Sequence, residues 1–280
     1  MDLRHRVAVV TGAASGIGRS LCLALAEHDT AGIVAADIDA AGATEVAEAV
    51  KAGGHEAIAV SADVAREADV KALVERAEGA FGHIDLFCSN AGIIVHGGVE
   101  VPDEQWARIW AVNVQSHIYA ARAVLPGMLA RREGYLVHTA SAAGLLTQLG
   151  SAPYAVTKHA VVALAEWLSI TYGDQGIRVS CLCPQAVSTN LAATSHKVAG
   201  AAPPTASGGG AGSHAAIDGI LTPDEVAACV IAAVAEERFL ILPHPEVATY
   251  ERRRAGDRER WLRGMRRLQA RLTMAADEMT

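Results

Sequence analysis

Residues 7–18 read VAVVTGAASGIG, in which an apolar run ends in a glycine-rich turn that leads into a helical pattern. The turn spaces Gly12, Gly16 and Gly18 as G-x-x-x-G-x-G. Glycines at this point let the backbone turn tightly and approach a pyrophosphate, and the following helix directs its N-terminal N–H groups at the anion. Because the spacing differs from the G-x-G-x-x-G fingerprint, an ordinary glycine-rich turn is the alternative interpretation.

Strand-like and helical segments alternate along the chain after this turn. Apolar strand-like runs recur at AGIVAAD, EAIAVSAD, IDLFCSN, GYLVHTAS and RVSCLCP. We expect helices to begin near Ile17, Ala40, Arg66 and Pro102, with a further helix that carries Tyr154. Near-continuous apolar strands joined by helices are typical of a parallel sheet covered on both faces. The sequence therefore predicts an α/β fold with a doubly wound parallel sheet in a single domain, residues 1–243, closed by a last strand at FLILP.

The regular alternation breaks after Pro184. Residues 191–218 are rich in Gly, Ala, Ser and Pro and hold little that could anchor a core. A flexible linker between domains is one interpretation, but too little chain follows it for a second domain. We therefore expect a mobile lid over about 191–218. The sequence Thr222, Pro223 and Glu225 then predicts a helix start with a capping box.

The C-terminal extension, residues 244–280, is a basic segment on an acidic protein. Between Glu251 and Arg271 it holds nine arginines against three acidic residues. An apolar stripe at three- and four-residue spacing predicts a helix; its members are Trp261, Leu262, Met265, Leu268 and Leu272. We expect this helix to pack on the body or across a subunit interface, with its arginines paired to acidic side chains, and it could help to wall a pocket. Binding to an anionic membrane or a nucleic acid is the alternative.

Composition narrows the classes of function. The 280 residues are 51% apolar and 20% charged, with a net charge of −7, which gives no basic surplus for nucleic acid. No apolar run approaches the roughly 20 residues that span a membrane, and the start shows no signal-peptide pattern. We expect a cytoplasmic protein with a small-molecule substrate and no nucleic-acid or membrane partner. The five cysteines and eleven histidines show no metal-ligand spacing, so we expect reduced thiols and no catalytic metal.

The second strand-like run ends in Asp37, about twenty residues after the glycine turn. A carboxylate at this position can accept hydrogen bonds from the adenine-side ribose hydroxyls, and it would repel a ribose phosphate. No arginine follows in ADIDAAG to bind such a phosphate. Asp37 therefore favours NAD over NADP, with a simple helix N-cap as the alternative.

Tyr154 and Lys158 are four residues apart in a helical pattern, so their side chains share one face and can reach one small site. A nearby ammonium favours the phenolate form of a tyrosine, which would make Tyr154 a base. A core tyrosine beside a solvated lysine is the alternative for this pair taken alone.

In these motifs, and over roughly residues 5–243, the chain resembles the short-chain dehydrogenase/reductase family. The resemblance implies a Rossmann-type fold and a catalytic tetrad of Asn113, Ser141, Tyr154 and Lys158. It implies that Tyr154 is the acid and base, that Ser141 holds the substrate oxygen, that Lys158 also binds the nicotinamide ribose, and that Asn113 supports a proton-conducting water. The cofactor residues that it implies are Gly12, Ser15, Gly16, Ile17, Gly18, Asp37, Ile38, Asp63, Val64, Asn90, Ala91, Gly92, Tyr154, Lys158, Pro184, Val187 and Thr189. Family members commonly form dimers or tetramers, so a homodimer or homotetramer is expected.

The chain departs from the family pattern at CPQAVST, where Gln185 replaces the usual glycine. We expect its larger side chain to line the substrate pocket. The candidate substrate residues are Ile94, His96, Ser141, Ala143, Leu145, Gln148, Tyr154 and Gln185. The residues that flank the tetrad, which also include Val95 and Leu146, are mostly apolar and none is an arginine. This favours a neutral, hydrophobic secondary alcohol or ketone, such as a cyclic, aryl or steroid-like one.

Two other functions fit parts of the pattern. A 3-oxoacyl thioester reductase of the same family is disfavoured by Asp37 and by the lack of a basic patch for a carrier phosphate. A dinucleotide-sensing regulator that has lost the chemistry is disfavoured by the intact tetrad.

Overall fold

Seven parallel strands form the centre of the protein, in the order β3-β2-β1-β4-β5-β6-β7. The structure is a computed structural model and describes residues 1–199 and 216–277. The strands are β1 Val7–Thr11, β2 Gly32–Asp37, β3 Ala57–Ser61, β4 Leu86–Ser89, β5 Gly134–Thr139, β6 Ile177–Leu182 and β7 Leu240–Ile241. The predicted doubly wound parallel sheet is confirmed, with the last strand at the edge beside β6.

Helices connect the strands and begin within about one residue of the positions expected from the sequence. They are α1 Gly16–Ala26, α2 Ala40–Ala52, α3 Glu67–Phe81, α4 Asp103–Trp110, α5 Ser116–Arg131, α6 Ala143–Leu146, α7 Ala152–Tyr172, α8 Leu191–Ala199, α9 Pro223–Ala235, α10 Glu246–Gly256 and α11 Arg258–Asp277. A short π-helical segment, Ala111–Gln115, joins α4 to α5.

The sheet is buried on both faces, which explains why its strands are apolar at nearly every position. All five residues of β1 are buried. Val9 packs in one core cluster with residues of α3 and α5, whereas Ala8 and Val10 pack on the other face with residues of α1 and α9. The result is three layers, helix, sheet and helix.

The strand order reverses at β1, which pairs with β2 on one side and with β4 on the other. The helical connections therefore leave this point in opposite directions and open a crevice at the carboxyl ends of the strands, where open α/β sheets bind their ligands. Gly12 lies at this end with a φ of +67°, a left-handed conformation that glycine adopts without strain. A Cβ atom on Gly18 would overlap the carbonyl oxygen of Gly12, so this position also requires glycine.

The segment expected to form a lid begins with a helix, because α8 occupies residues 191–199. Residues 200–215 lie outside the described part of the chain, and so does most of the predicted lid. Beyond it, the predicted capping box is present at the start of α9: Thr222 Oγ1 accepts a hydrogen bond from the Glu225 N–H at 3.2 Å, and Glu225 Oε2 accepts one from the Thr222 N–H at 2.7 Å.

The C-terminal extension forms α10 and α11. Val247 is fully buried and anchors α10 on the body. Of the predicted apolar stripe, Trp261, Met265, Leu268 and Leu272 are half-buried, whereas Leu262 is 45% exposed and does not belong to the buried side.

Two further expectations concern ion pairs made by the extension and helices that could span a membrane. Ion pairs between its arginines and carboxylates of the body were expected, but none occurs among the residues that the structure describes. Within residues 1–199 and 216–277, every helix is too short or too polar to cross a membrane.

Candidate active site

Two connected cavities lie at the carboxyl ends of the strands. The inner cavity extends from the glycine turn to Tyr154, and the outer cavity extends from Tyr154 to the C-terminal helices. Ser141, Tyr154 and Gln185 line both, so the candidate catalytic side chains lie at their junction. All the cofactor residues expected from the resemblance line the inner cavity except Gly18, which packs against the Gly12 carbonyl instead.

The N-terminus of α1 faces the inner cavity through Ser15, Gly16 and Ile17. Ser15 is the N-cap, but its side chain caps no backbone N–H, and the first turn carries no acidic residue. The first N–H groups of a helix have no partner within the helix and carry its positive dipole end. This terminus is therefore fit to bind a pyrophosphate.

Asp37 lies at the end of β2 and lines the inner cavity beside Ile38. Its carboxylate joins the glycine turn to the start of α2, because Oδ2 accepts a hydrogen bond from the Ala14 N–H at 3.0 Å and Oδ1 accepts one from the Asp39 N–H at 2.9 Å. The N-cap of α2 is Asp39, whose side chain accepts from the Gly42 N–H. The N-cap interpretation of Asp37 is therefore wrong.

Asp63 and Val64 follow β3 at the same end of the inner cavity. The Asp63 carboxylate forms an ion pair with Arg108 of α4 at 3.2 Å, and it accepts a hydrogen bond from the Ala65 N–H at 3.0 Å. Arg108 also lines the cavity and was missed from the sequence, because nothing in the helical pattern of α4 shows which residue of another element it meets.

Asn90 lines the inner cavity, and hydrogen bonds hold its side chain in place. Its side-chain amide donates to the Thr11 carbonyl at 3.0 Å, and its side-chain oxygen accepts from Thr139 Oγ1 at 3.2 Å. These bonds tie the ends of β1, β4 and β5 together. Gly92 is two residues further along the chain. A Cβ atom at this position would lie 3.4 Å from Lys158 Nζ and 3.5 Å from Asn113 Oδ1.

Tyr154 and Lys158 project from α7 into the junction of the cavities. The Lys158 Nζ atom lies 5.6 Å from the centroid of the Tyr154 ring and donates a hydrogen bond of 2.9 Å to the Thr139 carbonyl. Burial lowers the pKa of Lys158 to about 8. Burial also raises the pKa of Tyr154, and a hydrogen bond with Ser141 opposes this rise. The chain alone therefore keeps the phenol protonated at neutral pH.

Ser141 follows β5 and is held by the backbone around it. Its Oγ accepts a hydrogen bond from the Ala143 N–H at 3.1 Å and donates one to the Pro184 carbonyl at 3.4 Å. These contacts point the hydroxyl at the junction of the two cavities, beside the phenol of Tyr154.

Asn113 lies in the π-helical segment, a distortion that is frequent at functional sites. Its side chain is fully buried. The side-chain oxygen accepts a hydrogen bond from the Ile93 N–H, and the side-chain amide donates one to the Ile93 carbonyl, each at 2.9 Å. It also donates to Thr157 Oγ1 at 3.2 Å, next to Lys158 in sequence. Asn113 therefore couples the loop after β4 to the start of α7.

The outer cavity contains all the candidate substrate residues except Leu145. The expectation for Leu145 was wrong, because this residue is buried in the core, as Val95 is, and does not line the cavity. The adjacent Leu146, also expected at the substrate, does line it. In the one-turn helix α6 adjacent residues point in different directions, and the sequence does not fix which one faces outward. The Gln185 N–H donates to His244 Nδ1 at 3.2 Å, while its side-chain oxygen is buried without a partner among the described residues.

The C-terminal helices form the far wall of the outer cavity, through Tyr250, Arg253, Trp261, Met265 and Leu268. The apolar stripe of the extension was the available signal for three of them. The sequence suggested that the extension could help to wall a pocket, but it did not single out Tyr250 or Arg253. No arginine was expected near the substrate, and the position of Arg253 in the cavity wall corrects this expectation.

The fold and this site define a dinucleotide-binding protein of the doubly wound class with a tyrosine–lysine centre. The family model for short chain dehydrogenases matches residues 6–199. A 1-deoxy-11-beta-hydroxypentalenate dehydrogenase of Streptomyces exfoliatus is 36% identical over 250 residues, which cover 88% of this chain and 86% of the relative. A cyclohexanol dehydrogenase of an Acinetobacter species is 37% identical over 191 residues, 68% of this chain and 76% of the relative.

A solved structure gives the same result. A short-chain dehydrogenase/reductase from Burkholderia phymatum in complex with NAD is 34% identical, covers 92% of this chain and 96% of its own, and superposes with a TM-score of 0.83. The chain belongs to the short-chain dehydrogenase/reductase family and is an oxidoreductase.

Proposed function

We propose that the protein is an NAD-dependent oxidoreductase that interconverts a hydrophobic secondary alcohol and its ketone, with Tyr154 as the acid and base. The observation that carries the proposal is the junction of the two cavities, where Ser141 and Tyr154 face both the dinucleotide side and the apolar side. A hydroxyl placed there meets a proton acceptor and a neighbouring hydroxyl in one small volume.

The residues of the inner cavity fit NAD. The uncapped N-terminus of α1 suits the pyrophosphate, and the Asp37 carboxylate suits ribose hydroxyls but repels a ribose phosphate. When bound, the nicotinamide supplies the two-electron acceptor for the alcohol carbon or the donor for the ketone. Side chains of the protein must then accept and donate the proton of the substrate hydroxyl.

Tyr154 takes the hydroxyl proton in the oxidation and returns it to the oxygen in the reduction. Its phenol must lose its own proton to act as a base, which burial opposes. The ammonium of Lys158, 5.6 Å from the ring, is the cationic side chain that favours the phenolate. Ser141 donates a hydrogen bond to the substrate oxygen, and Asn113, held by its bonds to the Ile93 backbone, supports a water that leads protons to solvent.

The substrate lies in the outer cavity, whose walls are mainly apolar. Two relatives act, by their names, on a hydroxypentalenate and on cyclohexanol, and both substrates are secondary alcohols on rings. A cyclic secondary alcohol is therefore the substrate class that we propose.

The test is turnover of a panel of cyclic and polycyclic secondary alcohols with NAD, followed by NADH absorbance, together with the reverse reaction of the ketones. We expect NADH formation with at least one bulky ring alcohol and a higher kcat/KM with NAD than with NADP. Absence of turnover above the level of Tyr154→Phe would contradict the proposal and favour the dinucleotide-sensing regulator. Faster reduction of a 3-oxoacyl thioester with NADPH would favour the thioester reductase.

A further inference from the structure

Arg253 is the charged residue of the outer cavity among the residues that the structure describes. It lies on α10 three residues after Tyr250, so both side chains are on one face of the helix. Both line the outer cavity, and Arg253 is also exposed to solvent. The Tyr250 hydroxyl donates a hydrogen bond to Asp218 Oδ1 at 2.9 Å, and Val247, one turn earlier, is fully buried. Both contacts hold α10 in this orientation.

Arg253 forms no ion pair with any carboxylate in the described parts of the chain. Asp218 accepts the Tyr250 hydroxyl through Oδ1, and its Oδ2 has no hydrogen-bond partner among the described residues, so it does not pair with Arg253. Residues 200–215, GAAPPTASGGGAGSHA, contain no Asp or Glu and cannot supply a counter-ion. Among the side chains that the structure describes, the Arg253 guanidinium therefore lines the cavity without an anionic partner.

The rest of the outer cavity offers apolar contacts and neutral polar groups. Leu146, Ile217, Trp261, Met265 and Leu268 supply apolar surface. Burial lowers the pKa of His96, so its ring is neutral and adds no second cation. Ser141 and Tyr154 line both cavities, whereas Arg253 lines the outer one alone. The site thus has reactive hydroxyls at its junction, an apolar middle and one cation on the wall formed by the extension.

We propose that Arg253 determines substrate specificity by binding a carboxylate carried on the apolar frame of the alcohol or ketone, so that the substrate is a hydroxy acid or keto acid. This inference rests on the proposed function and names the substrate class more narrowly. A guanidinium can hold a carboxylate through two parallel hydrogen bonds, which fixes orientation as well as charge. A doubly charged phosphate is a poorer match, because a single cation among apolar side chains leaves much of its charge unpaired.

Paired substrates test the proposal directly. The pairs are hydroxycyclohexanecarboxylate and a polycyclic hydroxycholanate, each beside its methyl ester, assayed with NAD. We expect wild-type enzyme to favour the acid of at least one pair about tenfold in kcat/KM, the effect of a charge-assisted hydrogen bond in a partly exposed site. Arg253→Gln should remove this preference by raising KM for the acid, with kcat and the ester kinetics unchanged.

The matched control is Arg252→Gln, which changes the same residue type at the adjacent position of α10. Arg252 is exposed, as Arg253 is, but it donates to Thr249 Oγ1 at 3.0 Å and does not line the cavity. This variant should keep the preference for the acid. Wild-type enzyme that uses each ester as well as its acid, or Arg253→Gln that still favours the acid, would overturn the proposal.

A binding measurement separates this inference from the proposed function. Calorimetry in the presence of NAD compares adamantanecarboxylate with its neutral carboxamide, neither of which can react. We expect tighter binding of the carboxylate, lost in Arg253→Gln and kept in Arg252→Gln. If no alcohol is turned over but this pattern is found, the proposed function fails and the anion site stands. If esters are turned over and neither assay depends on Arg253, the function stands and the anion site fails.

Discussion

The Lys158 Nζ atom lies 5.6 Å from the centre of the Tyr154 ring and, at the same time, donates to the Thr139 carbonyl at 2.9 Å. The hydrogen bond fixes the ammonium at the end of β5, while the helix α7 fixes its spacing from the phenol. Both side chains are buried, so packing within the fold holds the ammonium and the phenol at this distance.

Tyr154→Phe should fold normally, bind NAD and lose turnover by about a hundredfold or more, since general acid–base catalysis contributes roughly 10²–10⁴-fold. The change removes one hydroxyl and leaves α7 intact. Steady-state kinetics and NAD titration would measure both effects. Retention of more than about a tenth of wild-type turnover would remove Tyr154 from the role of base.

Tyr135→Phe is the matched control for this variant. Tyr135 is also fully buried, and its hydroxyl bonds Ser180 Oγ at 2.8 Å inside the core, far from the cavities. Its loss should cost about 1 kcal/mol of unfolding free energy and leave kcat unchanged. Equal losses of turnover in the two variants would mean that the effect of Tyr154→Phe is structural.

The cofactor preference should depend on the charge of Asp37. Asp37→Asn removes the negative charge that repels a ribose phosphate, and its single side-chain oxygen can accept from only one of the Ala14 and Asp39 N–H groups. We expect KM for NAD to rise about tenfold and discrimination against NADP to relax, as measured by kcat/KM for each cofactor. Asp39→Ala is the control, since it removes a helix cap worth about 1 kcal/mol without touching the cavity. A wild-type preference for NADP would refute the assignment.

The sheet and the glycine turn could be predicted from the sequence because each strand and the turn depend on residues that are close together in the chain. Apolar runs of five or six residues and the glycines at 12, 16 and 18 identify β1, α1 and the strands that follow without knowledge of their partners. The capping box at Thr222 is equally local. The pairing of Asp63 with Arg108 could not be predicted, because the two residues are 45 positions apart and meet only through the packing of α4.

The walls of the outer cavity were harder to predict for the same reason. Leu145 and Leu146 are adjacent and chemically alike, and only the path of the one-turn helix α6 sends the first into the core and the second to the cavity. The stripe of α11 was visible as a pattern, but its target was not. Arg253 lies in a run of three arginines, and the sequence cannot show which of them lines a cavity.

The C-terminal extension should contribute to stability and to substrate binding. Truncation after Pro243 removes buried Val247 and the wall formed by Trp261 and its neighbours, so we expect a lower melting temperature or a disrupted oligomer, and a higher KM for bulky substrates. Calorimetry, sedimentation and kinetics would measure these effects. Unchanged values, with vesicle binding by the full-length protein alone, would favour the membrane interpretation instead.

Trp261→Ala tests the cavity wall without removing the extension. We expect a rise of several-fold in KM for bulky ring alcohols and little change for small ones, since only a large substrate reaches this wall. Leu262→Ala is the matched control, because Leu262 is adjacent, apolar and 45% exposed. The control should behave as wild type, and a similar rise in KM for both variants would indicate a general loosening of α11.

The stability of the fold should fall in mild acid because of a buried pair of histidines. His117 Nδ1 and His138 Nδ1 lie 2.9 Å apart, both rings are buried, and their Nε2 atoms have no partner in the described residues. Burial lowers the pKa of His138 to about 4, and burial together with the charges of His138 and Lys158 lowers the pKa of His117 well below its usual value. The folded protein therefore holds both rings neutral.

An unfolded chain binds protons to these rings below about pH 6.5, whereas the folded chain binds them to His138 only near pH 4, so the stabilisation is present above pH 6.5 and is lost as the pH falls toward 4. For His138 alone the loss is on the order of 3 kcal/mol. Urea unfolding across this pH range should show a smaller pH dependence in His138→Gln and a still smaller one when His117→Gln is added, even if both variants are less stable at neutral pH. His28→Gln, at an exposed site, should retain the wild-type dependence. A double variant with the wild-type slope would mean that other groups, and not this pair, carry the acid sensitivity.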